Sequence, residues 1–192
     1  MAMSDEASHL FAAYQLSRAC RAGYAWTGMD ADRARRFAAF EAWLWMFAVE
    51  YPIDAYNPGQ GFGVSDLLFN TVGVMAAYHH ARPGDQPIWD VKISVKRSFL
   101  AGQSRLIAYT NKQYDDYVYW LTIRPLRRVW MPLFGVGYST AHDKRPGVIK
   151  EMHVGVGFSA AEVGELLGST AARYLRPFSF FFFNLNTKIT WR

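Results

Sequence analysis

The hydrophobic period of this chain changes once, and that change limits the kind of fold open to it. Up to residue 80 the apolar residues recur at helical spacing. Beyond Arg82-Pro83-Gly84-Asp85-Gln86-Pro87, where two prolines and a glycine stop any helix, they mostly alternate. Helices followed by a run of strands is the pattern of an α+β fold.

Within the helical half, Ser4-Asp5-Glu6 offers an N-cap with acids in the first turn. Leu10, Phe11, Ala13, Tyr14 and Leu16 follow at helical spacing towards Gly23. Asp30 caps a second helix that runs through Arg33, Arg35 and Arg36 into residues 37–49, where Glu41 is the only charge. It ends near Pro52, because the residue before proline avoids the helical region. Residues 57–61 read as a loop, and Ser65 caps a third helix from Asp66 to about His80. After the break, Trp89, Val91, Ile93 and Val95 alternate with polar residues as a half-buried strand does. Further strands are expected at 106–110, 117–124, 133–140, 149–158 and 180–190, with a short helix opened by a Ser159/Glu162 capping box and running to Arg173. The expectation is α+β: three N-terminal helices packed with a five- or six-stranded antiparallel meander carrying one short late helix. It divides into a helical subdomain, 1–82, and an antiparallel β subdomain, 83–192, that fold as one cooperative unit.

Composition closes off several functions. One cysteine, Cys20, makes neither a disulfide framework nor a cysteine-based zinc site, and no uncharged apolar run is long enough for a transmembrane helix. No cofactor and no metal are expected. Cys20 follows Ala19 as at a lipoprotein cleavage site, but Arg18 and Arg21 flank it and no apolar segment precedes it, so it reads as a small helix residue. Asp5 and Glu6 stand where a secretory signal carries a basic region, so the chain as given is expected to lack one. Charge divides where the period does: residues 1–80 hold five Lys/Arg against eight Asp/Glu, and 81–192 hold sixteen against eight. The basic residues are spread singly along strands and turns, with Lys96-Arg97, Arg127-Arg128 and Lys144-Arg145 the compact pairs. That pattern suits a solvated or anionic-lipid-facing surface, and nucleic acid is not expected as a partner.

The polar positions of the helical half are spaced to meet. Asp5 and His9, Glu50 and Asp54, and Asp66 and Asn70 are each four apart, so each pair lies on one side of its element. Gly73 and Ala77, on the stripe of Asp66 and Asn70, would let a neighbouring helix come close. Converging, these groups could orient His9, bind a divalent metal or act as acid and base. Equally, Asp5 and Asp66 in first turns favour the helix dipole, and a buried Asn70 or His9 satisfies backbone. His79-His80 ends a helix, where imidazole suits the dipole.

The same residues carry a family resemblance. Asp5-Glu6-Ala7-Ser8-His9-Leu10-Phe11-Ala12 resembles the D-K-x-x-H-F-x-A opening of the YfiM-like predicted periplasmic lipoproteins, whose function is unknown. Glu50 with Asp54 resembles that family's K-E-x-x-D element, and residues 63–73 its G-[FW]-S-x-D-L-x-x-[ND]-x-x-G block. Tyr119-Trp120-Leu121, Gly135-Val136-Gly137-Tyr138 and His153-Val154-Gly155-Val156-Gly157 are similar to strand patterns of its longer members, and the opening and D-x-x-x-N patterns resemble the VanZ-like membrane proteins more distantly. Glu6 replaces the usual lysine, and the Glu50 to Asp54 spacing is one residue longer and contains Pro52. The resemblance implies a bacterial envelope setting, periplasmic by family, with the cytoplasmic face open for a chain without a signal. It implies no chemistry.

Aromatic residues complete the reading. Phe180-Phe181-Phe182-Phe183 opens a strand with aromatics on both faces, and Trp43 and Trp45 lie in the all-round apolar second helix. Both segments suit a protein core. They also suit docking, with Arg127 and Arg128, on a larger membrane protein complex or an anionic lipid surface. A small outer-membrane barrel needs eight strands, more than are present. The expected function is a membrane-associated, noncatalytic accessory or structural subunit of an envelope complex. The alternatives are an envelope lipid or glycan hydrolase using His9, Glu50, Asp54 and Asp66, and a module binding an apolar ligand such as a lipid or pigment.

Overall fold

A computed structural model describes residues 4–56, 62–80, 87–96, 116–125, 131–142 and 147–192. The chain forms two compact units, Asp5–Asp85 and, with the first four residues, Gln86–Arg192. The fold is α+β, with helices mostly N-terminal and one five-stranded antiparallel sheet.

The helical unit holds α1 (Ser4–Trp26), α2 (Ala31–Ala48) and α3 (Val64–His79). Helix α1 runs past Gly23 and stops before Gly28, whose φ of +85° an L side chain rarely adopts. Asp30 caps α2 as expected, its carboxylate accepting from the amides of Asp32 and Arg33. A wide turn, Val49–Asp54, follows α2, and Tyr51 before Pro52 is extended at φ −144°, ψ 115°. Gly63, not Ser65, caps α3, and the Ser65 hydroxyl turns to Asp66 instead.

Helix α2 buries a stripe of small residues and shows four large apolar ones. Ala34, Ala38, Ala42 and Met46 form the buried stripe, while Phe37, Phe40, Leu44 and Trp45 are exposed. The periodicity of large apolar residues on α2 therefore does not mark its core face; the small ones do. Helix α3 likewise buries Asn70, Gly73, Val74 and Ala77 and exposes Leu68, Val72 and Met75. A Cβ at Gly73 would overlap the Leu10 carbonyl oxygen of α1, so the stripe of small residues does permit a close helix approach.

In the second unit the strands are β1 (Trp89–Val95), β2 (Tyr117–Ile123), β3 (Leu133–His142), β4 (Val148–Ser159) and β5 (Phe182–Trp191), paired in sequence order. The strand expected at 106–110 lies outside the described residues. The sheet curls until its two edges touch at one end: the Ile93 amide donates to the Phe180 carbonyl at 2.8 Å, beside a parallel bridge from Ile93 to Phe181. The Ser159/Glu162 capping box forms as its sequence indicates. The expected single late helix is two, α4 (Ala160–Leu167) and α5 (Ser169–Leu175), because Gly168 at φ +115° breaks it.

Candidate functional site

Three elements of the helical unit bring polar groups together. Helix α1 carries Asp5 and His9 one turn apart, the wide turn after α2 carries Glu50, and α3 carries Asp66 and Asn70. Glu50 is 1% exposed and Asn70 0%. The Asn70 side-chain amide donates to Glu50 Oε1 at 3.2 Å, while His9 Nδ1 lies 3.1 Å from both Asn70 Oδ1 and Glu50 Oε1. Those two oxygens accept, so Nδ1 carries a hydrogen towards them and Nε2 is turned to the other side. Nε2 is 3.6 Å from Asp5 Oδ1. One ligand atom each from Asp5, His9 and Asp66 fall within 4.8 Å of one another. Asp54 bears on Glu50 through its charge.

Burial pushes the Glu50 carboxyl above its ordinary range; Asp66 and Asp54 push the same way, against His9 and the Asn70 hydrogen bond. Burial also raises Asp66, helped by Asp5 and Glu6 and opposed by His9. A carboxyl raised in the folded state binds more protons there than in the unfolded chain. Its presence therefore favours the fold most at low pH, and that advantage is lost as pH rises from the ordinary glutamate range through the raised value. Glu50→Gln is expected to flatten this decline as pH rises above the ordinary glutamate range of about 4, read as Tm against pH by circular dichroism at 222 nm. An unchanged profile would show that Glu50 does not titrate in that window.

The sheet carries the second candidate surface, and its two faces reverse the usual order. Its inner face is polar. Lys92 pairs with Asp90 at 2.8 Å and donates to the Ser179 carbonyl, and Arg124 pairs with Glu162. Glu151 accepts from Lys96 at 2.6 Å, from the Ser139 hydroxyl at 2.8 Å and from Lys188, with His153 Nε2 at 3.7 Å. Among the described residues, Trp120, Val118, Leu133 and Phe182 make the apolar cluster there. The outer face is apolar and exposed. Ile123, Phe134, Val156 and Leu185 form one row across β2 to β5; Leu121, Val136 and Val154 form the next, and Met152 and Ile189 a third with Tyr119 and Tyr138. At strand spacings of about 4.8 Å and row spacings of about 6.7 Å, these rows cover roughly 400 Å². The band ends at Trp191, 41% exposed, with Lys150 opposite it and Arg192 next in the chain.

Several expected docking residues fall elsewhere. Phe182 is 2% exposed, its ring edge-on to Trp120 at 5.2 Å, so it belongs to the core; Phe180 and Phe181 are half-buried against each other, and Phe183 alone of the four is exposed. Trp43 is tied inward: its indole N–H donates to Thr71 on α3 at 3.0 Å and its ring stacks on Phe47. Trp45 is exposed. Arg127 and Arg128 lie outside the described residues. His79 is exposed at the end of α3, and His80 is buried edge-on to Tyr14. The apolar outer face and the charged inner one escaped a reading by residue type. The Gly-Val-Gly runs that encode them count as half-apolar, and their inward positions are glycine, serine, histidine and glutamate.

Residues 2–81 match a family described as predicted periplasmic lipoprotein (DUF2279), whose function is unknown. The match spans the Asp5, His9, Glu50, Asp54, Asp66 and Asn70 positions whose motifs carry the resemblance, and it supports an envelope location. No curated protein and no solved structure matches the chain. Among the described residues, no helix is long and apolar enough to cross a membrane.

Proposed function

We propose that this chain is a noncatalytic, membrane-seated envelope protein whose sheet lays its outer face against the acyl chains of a bilayer. One observation carries the reading: charges inside, aliphatic side chains outside. A domain built for water keeps Lys, Asp, Glu and His on its surface, since burying them costs several kcal/mol per ion before pairing repays it. This unit encloses Asp90, Lys92, Glu151 and Glu162 and leaves Val136, Val154, Leu185 and Ile189 exposed. Lipid suits the face better than a protein partner does, because the band ends in the exposed Trp191 with Lys150 opposite it and Arg192 next to it, an aromatic and basic pairing of the kind found at headgroup level. Among the described residues the sheet has five strands, and in this reading its outer face seats it on the membrane. The exposed aromatics of α2 and the Leu68, Val72 and Met75 stripe of α3 give the helical unit apolar surface as well. The periplasmic lipoprotein description of the matched family accords with such a seat.

Membrane flotation tests it. The purified chain is expected to float with vesicles of phosphatidylethanolamine and phosphatidylglycerol and to stay bound in high salt. The Val136→Lys/Val154→Lys double variant should bind at least tenfold more weakly, since a lysine facing lipid costs up to about 2–4 kcal/mol. Equal flotation of the folded variant and the parent, or no flotation of either, would overturn the reading.

A further inference from the structure

We propose that Asp5, His9 and Asp66 bind one divalent first-row metal ion, with Glu50 and Asn70 holding the imidazole in place. The proposal concerns the helical unit and stands apart from the membrane reading of the sheet.

The first argument is about donors and acceptors. His9 Nδ1 is committed to Glu50 and Asn70 at 3.1 Å, which turns Nε2 towards Asp5 Oδ1 at 3.6 Å, and Asp66 completes a set whose ligand atoms lie within 4.8 Å of one another. An imidazole nitrogen and two carboxyl groups, each able to give one ligand atom to a divalent ion, converge there. The second is about charge. The fold gathers the carboxyls of Asp5, Glu50 and Asp66 around one imidazole, His9; a divalent ion supplies two positive charges to such a set. The third is the support. A metal-bound histidine characteristically donates its other ring N–H to a carboxylate or carbonyl that fixes tautomer and ring orientation. Glu50 and Asn70, both fully buried, stand in that relation to His9.

The donor set selects the ion. One imidazole and two carboxylates suit zinc or manganese, whereas calcium takes six to eight oxygens and magnesium keeps most of its water. Bonds of about 2.0–2.2 Å place ligand atoms of a tetrahedral site roughly 3.5 Å apart. The Asp5 to His9 separation already matches, and the set as a whole closes by about 1 Å through side-chain rotation of Asp5 and Asp66. Gly63 makes room for Asp66, since a Cβ there would overlap its carboxylate.

Isothermal titration of the EDTA-treated full chain with zinc chloride and, separately, manganese chloride tests the site, with calcium and magnesium chloride as controls. The expected result is one equivalent of zinc or manganese bound with Kd at or below about 10 μM, weakening as pH falls because protons compete with the metal for the ligands. Asp66→Asn and His9→Gln should each weaken binding at least thirtyfold. Asp5→Asn, at a half-exposed residue on the rim, gives the same test where those variants fail to fold. Asp54→Asn, outside the ligand set, should bind as the parent does. No saturable one-to-one binding, or equal binding by parent and folded ligand variants, would overturn the proposal.

Discussion

Glu151→Ala is expected to destabilise the β unit by about 3–5 kcal/mol, the range for breaking a buried ion pair by removing one partner. The carboxylate is 2% exposed and draws together groups from three strands and the end of a fourth. Lys96, just past β1, donates to it and to the Thr140 carbonyl; Ser139 of β3 donates to it and also touches His153 of β4 at 2.9 Å; Lys188 of β5 reaches it from outside. Without the carboxylate, the Lys188 ammonium swings to water, its side chain being half exposed, but Lys96 is not so free. Glu151→Gln, which keeps one acceptor, should cost less. The imidazole of His153, with Lys188, Lys96 and Ser139, holds the Glu151 carboxyl far below the usual carboxylate range although burial pushes it up. The unfolded chain binds that proton more readily, so the stabilisation is complete above about pH 5 and drains away as pH falls below about 4. Urea unfolding in detergent at pH 7 and pH 4 reads both effects. A loss under 1 kcal/mol, or one equal at the two pH values, would show that this network does not hold the sheet.

Trp120→Ala is expected to cost a similar amount, about 3–5 kcal/mol, by opening a cavity. Trp120 is the largest fully buried side chain among the described residues, packed against Phe182 and 5.8 Å from the His153 ring, with its indole N–H donating to Ser94 at 2.8 Å. Three glycines on β3 and β4 exist for its sake. A Cβ at Gly135, Gly137 or Gly155 would come within 2.8–2.9 Å of its ring. Gly135→Ala alone should therefore destabilise by about 1–3 kcal/mol through overpacking. In the Trp120→Ala background it should be close to neutral. Simple additivity in that double-mutant cycle would contradict the account of these glycines.

How far the chain was legible depends on what each element uses to hold itself. The α+β order, the Asp30 cap, the Ser159/Glu162 box and four of the strands beyond β1 follow from local chemistry, and so do the i, i+4 pairs that meet around His9. Glu50 could be placed with them only by spacing, since the turn that delivers it contains Pro52. Orientation was less accessible. In α2, four exposed large side chains and a buried alanine stripe invert the usual weighting by size, so Trp43 and Trp45 looked alike although only Trp45 faces out. In the sheet, Phe182 and Phe183 are neighbours of identical type on opposite faces. The contrast that identifies the outer face appears only once β2, β3, β4 and β5 are in register, because each strand alone contributes two or three exposed apolar residues. The surplus of basic residues in the second half is likewise spent in part indoors, on Asp90, Glu151 and Glu162.

The central claim, that the outer face of the sheet meets lipid, is tested most directly by a nitroxide placed at Val154, which sits mid-band and is 58% exposed. In a Cys20→Ser background, Val154→Cys carries the label on the apolar face, and Arg173→Cys carries it on exposed α5 as the aqueous reference. With the protein on vesicles, the label at 154 is expected to collide more with molecular oxygen than with a water-soluble nickel complex, and the label at 173 to show the reverse. Nickel accessibility at 154 equal to that at 173, or shielding of 154 from both reagents, would place this face in water or under protein and contradict the account.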